Sequence, residues 1–183
     1  MSIEGSITAL VTPMNEKGDL DYNSLEKLIN FQIDSGISGL VAVGTTGESA
    51  TIDFEDHIKL IEFVIKISNG RVHIIAGTGA NSTEEALHLT REAKNLGADA
   101  ALLVSPYYNK PPQEGIYRHH AKIADEVDIP QILYNVPSRT ASFIEPETVK
   151  RLSSHQNIMG IKDATGDMKN LSEVLNLCEE DIK

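Results

Sequence analysis

The sequence contains little cysteine, few aromatic residues and fewer basic than acidic residues. Its 183 residues include one cysteine, Cys178, no tryptophan and 5% aromatic residues. A single cysteine excludes an intrachain disulfide and a zinc site with several cysteine ligands, and we expect Cys178 to be a passive side chain. The scarcity of aromatic residues predicts a core that is mainly aliphatic.

Lysine and arginine number 16 against 27 acidic residues, a formal net charge of −11. We expect no nucleic-acid partner, because phosphate binding requires clustered basic residues. No stretch approaches the ~20 apolar residues of a membrane span, and Glu4 stands where a signal peptide carries positive charge. We therefore predict a cytoplasmic protein that does not contact a membrane.

Six short apolar runs alternate with amphipathic helical stretches, and the runs begin near residues 7, 39, 73, 100, 131 and 158. Each run is almost continuously apolar, which is typical of a strand covered by helices on both faces. Six βα units predict an α/β fold with a parallel sheet, in one domain over residues 1–183. A doubly wound open sheet and a (β/α) barrel both remain possible, because periodicity does not distinguish them.

In both architectures, functional residues gather at the C-terminal ends of the strands. The turn Gly44–Glu48 follows the second run and combines two glycines with the hydroxyls of Thr45 and Thr46. Exposed backbone N–H groups and hydroxyls in such a turn suit a carboxylate or an oxyanion. An ordinary turn between a strand and a loop is the alternative interpretation.

Lys162 ends the sixth run, which is otherwise apolar. Burial disfavours the charged ammonium and lowers its pKa from about 10.4, which supplies the neutral amine that attacks a carbonyl group. This favours a lysine that forms a Schiff base. The alternative is a lysine that reaches solvent or pairs with Asp163 or Asp167.

Polar residues also follow the fourth and fifth runs. Tyr134 could relay protons, and Arg139 could bind a carboxylate with two hydrogen bonds. The alternatives are a packed tyrosine and a surface arginine. The adjacent Tyr107 and Tyr108 indicate an interface or a site.

His119 and His120 are neighbours on a predicted helix, so their side chains point about 100° apart and do not chelate one metal together. We expect them at the helix surface and the edge of the core.

Four motifs together resemble the pyruvate-dependent class I aldolase family, which contains dihydrodipicolinate synthase and N-acetylneuraminate lyase. They are Gly44–Glu48, Ser105–Pro112, Tyr134–Thr140 and Gly160–Asp167, and the resemblance runs along the whole chain. It implies a TIM (β/α)8 barrel, which requires about 250 residues. We therefore expect this chain to hold only the first six βα units and to be truncated at its C-terminal side.

The resemblance also implies the chemistry, which needs no metal or organic cofactor. Lys162 would form an imine with pyruvate, and Thr45 and Thr46 would bind the pyruvate carboxylate. Thr46 would also join a proton relay with Tyr134 and Tyr108.

Arg139 would hold the carboxylate of a second substrate, aspartate semialdehyde, in lysine (diaminopimelate) biosynthesis. Its Pro-x-Arg-Thr context favours the synthase branch of the family over the lyase branch. Another pyruvate-dependent aldolase or lyase, and a catalytically inactive fragment or binding module, are the alternatives.

The family further implies a homo-oligomer, a dimer or a tetramer, because the tyrosine that matches Tyr108 is donated across the dimer interface. Many members are inhibited by lysine at that interface. The positions that resemble the inhibitor site are Ser49, Ala50, His57, Asn81, Glu85 and Tyr107. Two departures from the family pattern are Ala141, where glycine is common, and Asp163, where glutamate is frequent.

Overall fold

The computed structural model describes residues 3–178 and Ile182. Within them, the strands are β1 Ile7–Ala9, β2 Gly39–Ala42, β3 His73–Gly77, β4 Ala100–Val104, β5 Gln131–Asn135 and β6 Ile158–Asp163. The α-helices are α1 Tyr22–Asp34, α2 Phe54–Ser68, α3 Thr83–Leu96, α4 Gln113–Glu126, α5 Pro137–Thr140, α6 Pro146–Ser153 and α7 Met168–Cys178. Two 3₁₀ turns, Thr45–Gly47 and Ser49–Thr51, follow β2.

The order of the strands decides between the two predicted architectures. Over the described residues, the sheet runs β1-β2-β3-β4-β5-β6, in the order of the chain, and the registers are parallel. A doubly wound sheet reverses its strand order at a switch point, whereas the strands of a (β/α) barrel follow one another. The barrel type of α/β fold is therefore confirmed.

The helix boundaries follow from local sequence signals. Asp21 caps α1, since its carboxylate accepts the backbone N–H of Ser24 at 3.0 Å. Gly36 comes just after the end of α1 and has a φ of 83°, a conformation that costs glycine little. Pro146 occupies the first position of α6, where its missing N–H has no helical partner to lose.

Contacts divide the chain into two compact units, Met1–Gly77 with Glu92–Asp99, and Thr78–Arg91 with Ala100–Lys183. In the first unit, Leu40 of β2 packs with Ile29 of α1 and Leu60 of α2 in an aliphatic core. In the second unit, Leu133 of β5 packs with Leu152 of α6, and Cys178 is buried in the same cluster. The cores are mainly aliphatic, as the composition predicts.

His119 and His120 are both buried, with 4% and 0% of their surface exposed. The predicted place at the helix surface was wrong, because α4 is buried over a wide arc that also includes Ile116, Ile123 and Ala124. The two rings are perpendicular, with centroids 5.0 Å apart. Over residues 3–178 and Ile182, no group of three or more His, Cys, Asp or Glu side chains could hold a metal ion. In that same part of the chain, no helix is both long enough and apolar enough to cross a membrane.

Candidate active site

Lys162 and Tyr134 form the centre of the candidate site in the second unit. They are register partners on the adjacent parallel strands β6 and β5, so their side chains project from the same face of the sheet. The Lys162 Nζ lies 4.3 Å from the centroid of the Tyr134 ring, and Tyr134 is 7% exposed. The Tyr134 ring therefore forms one wall around the amine.

The amine of Lys162 is half-buried, and burial lowers its pKa from the ordinary value of 10.5. Asp163 directs its carboxylate elsewhere, because it accepts the Thr165 N–H at 2.9 Å, the Thr165 hydroxyl at 2.6 Å and the Asn170 amide at 3.2 Å. Asp167 accepts the backbone N–H groups at the start of α7. In the part of the chain that the structure describes, no ion pair joins Lys162 to either carboxylate, and burial is the cause of its lowered pKa, which favours the nucleophilic neutral amine.

Arg139 lies on α5, a single turn that follows β5 directly, and its side chain is exposed. Asn135 at the end of β5 is completely buried, and its side chain links the end of this strand to Ile144, beyond α5. Its amide nitrogen donates to the Ile144 carbonyl at 3.2 Å, and its amide oxygen accepts the Ile144 N–H at 3.1 Å. An exposed guanidinium on a firmly held loop can bind a carboxylate that arrives from solvent.

Tyr107 and Tyr108 lie on the segment after β4. Tyr108 is 89% exposed and has a φ of 72°, which is unusual for a bulky residue. Tyr107 is half-buried, and its pKa is raised by burial and by the nearby charge of Glu85, against the effect of a hydrogen bond with the Asn81 backbone. The second unit thus brings together three of the positions that resemble the lysine-inhibitor site: Asn81, Glu85 and Tyr107.

The threonine turn lies in the first unit. Thr45 is partly buried and Thr46 is exposed on the 3₁₀ turn that follows β2. The turn is anchored because the buried Thr12 hydroxyl donates to the Gly47 carbonyl at 2.7 Å. These positions leave the hydroxyl of Thr46 accessible to an incoming anion.

Val43 immediately precedes this turn and was missed by sequence reasoning. It is a buried β-branched residue with a φ of 53°, a strained conformation that is found mainly at functional sites. Gly77 of β3 accommodates it, since a Cβ at position 77 would lie 2.4 Å from the Val43 carbonyl oxygen. The glycine at 77 is the only sequence signal for this close approach.

The other three inhibitor-like positions also lie in the first unit. Ser49 and Ala50 are on the second 3₁₀ turn. His57 on α2 is 4% exposed, and burial lowers its pKa. Its Nε2 lies 2.7 Å from the Gly77 carbonyl oxygen, so Nε2 carries the proton and donates. His57 is therefore tied to the strand that supports Val43.

A sequence model of the Dihydrodipicolinate synthetase family matches residues 2–183. The 4-hydroxy-tetrahydrodipicolinate synthase of Pseudomonas putida is 59% identical over 180 residues, which are 98% of this chain and 62% of that protein. The chain thus spans about three fifths of that relative's length.

Solved structures of the same family superpose closely on the chain. The dihydrodipicolinate synthase of Acinetobacter baumannii in complex with pyruvate has a TM-score of 0.97 at 52% identity, and the match covers 99% of this chain and 62% of that one. The enzyme of Cyanidioschyzon merolae with lysine bound has a TM-score of 0.92 at 38% identity, over 96% of this chain and 60% of that one.

Proposed function

Because the chain belongs to the dihydrodipicolinate synthetase family, we propose that the protein is a 4-hydroxy-tetrahydrodipicolinate synthase that binds pyruvate as a Schiff base on Lys162. The main support for the proposal is the environment of the Lys162 amine. The amine of Lys162 is half-buried beside the Tyr134 ring, its pKa is lowered by burial, and the two nearest acidic residues in sequence have other partners. Such an amine can attack a ketone near neutral pH.

The proposed reaction begins when the neutral Lys162 amine attacks the keto carbon of pyruvate and water leaves, which yields an imine. The imine withdraws electrons and eases loss of a methyl proton, which gives an enamine. The enamine carbon attacks the aldehyde of aspartate semialdehyde, and the aldehyde oxygen takes up a proton. The amino group of that substrate then attacks the imine carbon, the ring closes, and the Lys162 amine is released. Tyr134 is the proposed proton relay at Lys162.

The remaining proposed roles follow the family resemblance. Thr45 and Thr46 bind the pyruvate carboxylate, Thr46 and Tyr108 join the proton relay, and Arg139 binds the carboxylate of aspartate semialdehyde. The exposure of Arg139 and Tyr108 supports roles that need access to a second substrate or a second chain. We propose a homo-oligomer in the cytoplasm, inhibited by lysine at a site that includes Asn81, Glu85 and Tyr107.

Borohydride reduction in the presence of pyruvate tests the proposal. We expect one pyruvate-derived group on the peptide that contains Lys162. The variant Lys162→Met should lose the label, and Lys169→Met, which removes an exposed lysine from α7, should keep it. A label on another lysine, or none on a chain that circular dichroism shows to be folded, would refute the role of Lys162. The unlabelled outcome would also favour an inactive fragment.

The second substrate distinguishes the synthase from another pyruvate aldolase. We expect turnover with aspartate semialdehyde and little with sugar-derived aldehydes. Arg139→Ala should raise KM for aspartate semialdehyde by at least tenfold, because a charge-assisted contact to a carboxylate contributes about 1.5–3 kcal/mol. It should leave the labelling of Lys162 by pyruvate unchanged. Equal turnover of both aldehyde classes would favour the other aldolase.

A further inference from the structure

Two loops of the second unit are joined by the side chain of Ser142. Its hydroxyl, in a residue that is 4% exposed, donates to the Pro106 carbonyl at 2.8 Å, across 36 positions of the chain. Next to this bond, the Tyr108 N–H donates to the Thr140 carbonyl at 3.4 Å. The segment that carries Tyr107 and Tyr108 is thus tied to the segment that carries Arg139.

Ser142 is itself held on one side by Thr140. The buried Thr140 hydroxyl lies 2.7 Å from the Ser142 carbonyl oxygen and accepts the Ser142 N–H at 3.1 Å. On the other side, the Gln113 amide donates to the Phe143 carbonyl at 2.7 Å. These bonds hold the backbone of Ser142 and Phe143 in place. The hydrogen bond from the Ser142 hydroxyl to the Pro106 carbonyl therefore restrains the segment that carries Tyr107 and Tyr108.

The tyrosine segment depends on such a tie. Tyr108 is 89% exposed, so packing of its side chain against the described residues adds little order. Tyr108 and Lys110 both have positive φ values, 72° and 46°, a conformation that non-glycine residues rarely adopt without support from neighbouring structure. Backbone hydrogen bonds supply that support here.

We propose that Ser142 is a positioning residue, whose hydroxyl fixes the spacing between the Tyr107-Tyr108 segment and the helix α5 that carries Arg139. The expected effect on the binding of aspartate semialdehyde rests on the proposed function. The coupling of the two segments does not depend on it. Loss of the hydroxyl should leave the Lys162 amine and the Tyr134 ring in place, since the hydrogen bonds of Ser142 go to Thr140 and Pro106. Loss of the hydroxyl should increase the mobility of Tyr108 and change the distance between Tyr108 and Arg139.

Hydrogen exchange followed by mass spectrometry tests the coupling in the folded chain. Ser142→Ala should speed exchange of the amides of Tyr108 and Asn109 about fivefold, the factor for loss of one hydrogen bond. Ser153→Ala is the matched control, because it removes a buried serine hydroxyl that donates at 2.8 Å to Lys150 within the same helix and joins no two segments. Equal exchange at these amides in the two variants, or in Ser142→Ala and the unaltered chain, would overturn the proposal.

A second variant keeps the test decisive if Ser142→Ala does not fold. Ser142→Cys has a similar volume and a weaker donor, so it should speed exchange at the same two amides by a smaller factor. No change at these amides in Ser142→Cys would then count against the coupling.

Kinetics separate positioning from general loss of structure. Ser142→Ala should raise KM for aspartate semialdehyde several-fold, while the rate of pyruvate trapping on Lys162 stays that of the unaltered chain. If Ser142→Ala weakened the use of aspartate semialdehyde and slowed pyruvate trapping by the same factor, the positioning role would be overturned. If the unaltered chain traps no pyruvate, the proposed function fails, and the exchange experiment still decides the role of Ser142.

Discussion

Acid sensitivity is expected from the buried histidines of α4. Burial lowers the pKa of His119 from the ordinary value of 6.5 to about 4. Burial, with a smaller effect of the His119 charge, lowers the pKa of His120 well below the ordinary value. Both side chains are therefore neutral in the folded chain and take up protons on unfolding as the pH falls below 6.5. The stability that they contribute is complete above pH 6.5 and is lost as the pH falls toward 4.

The size of the effect follows from the two pKa values of His119. For a group with pKa 6.5 unfolded and about 4 folded, lowering the pH from 7 to 5 reduces the free energy of unfolding by about 2 kcal/mol. His120 acts in the same direction, and so does His57, which is also buried with a lowered pKa. The carboxylates with lowered pKa values, Asp21 and Glu84 among them, titrate below this range.

The variant His119→Gln isolates this contribution. Glutamine does not titrate and can still bond to the Thr83 hydroxyl, which lies 2.9 Å from His119 Nδ1. Urea unfolding at pH 7 and pH 5 gives the free energy of unfolding of each protein at both pH values. The difference between the two pH values is then compared between the variant and the unaltered chain, so an effect of the substitution that is the same at both pH values cancels. We expect the loss between pH 7 and 5 to be about 2 kcal/mol smaller in the variant.

An exposed serine provides the control. Ser154 follows α6 with its side chain exposed, and neither serine nor alanine titrates between pH 7 and 5, so Ser154→Ala should leave the loss over this range unchanged. If His119→Gln and the unaltered chain lost the same free energy over this range, His119 would not be a neutral buried group. An equal effect of Ser154→Ala would show that the smaller loss in His119→Gln does not come from the titration of His119.

Two further substitutions test the packing that supports the site, both by urea unfolding at pH 7. Gly79→Ala should lower the free energy of unfolding by about 1–3 kcal/mol, because the added Cβ would lie 2.3 Å from the Val104 backbone nitrogen; unchanged stability would contradict this close approach. Asn135→Ala should cost about 2–4 kcal/mol, because it leaves the N–H and the carbonyl of buried Ile144 without their bonds to Asn135. A cost below that of Ser154→Ala, which removes an exposed hydroxyl, would mean that Asn135 does not hold the loop.

The strands were predictable because a parallel strand covered on both faces leaves a continuous apolar run in the sequence. The positions near which the six runs begin, residues 7, 39, 73, 100, 131 and 158, are the first residues of β1 to β6. The helix starts at Asp21 and Pro146 were predictable for a similar reason, since capping depends on residues close together in the chain. The family motifs likewise singled out Lys162, Tyr134 and Arg139 as candidate site residues, and their roles stay predictions.

Contacts between distant parts of the chain were not predictable from these patterns. The α5 turn, the strained Val43 beside Gly77 and the bond from Ser142 to Pro106 leave no periodic signal, because each depends on backbone positions that only the packed sheet brings together. The burial of His119 was missed since an apolar stripe marks only the most buried side of a helix that is covered over a wider arc.

The sequence by itself determined the α/β class and the positions of the strands, and it singled out Lys162 as the candidate Schiff-base lysine, because these depend on local polarity and on short motifs. The tertiary structure decided the order of the strands in the sheet, the placement of Tyr134 beside the Lys162 amine and the engagement of Asp163 by Thr165 and Asn170. The physical reason is that the pKa of Lys162, and with it the proposed reactivity, depends on which groups lie within a few ångströms of its amine. That proximity is set by the register of β5 against β6 and by the path of the loop that follows.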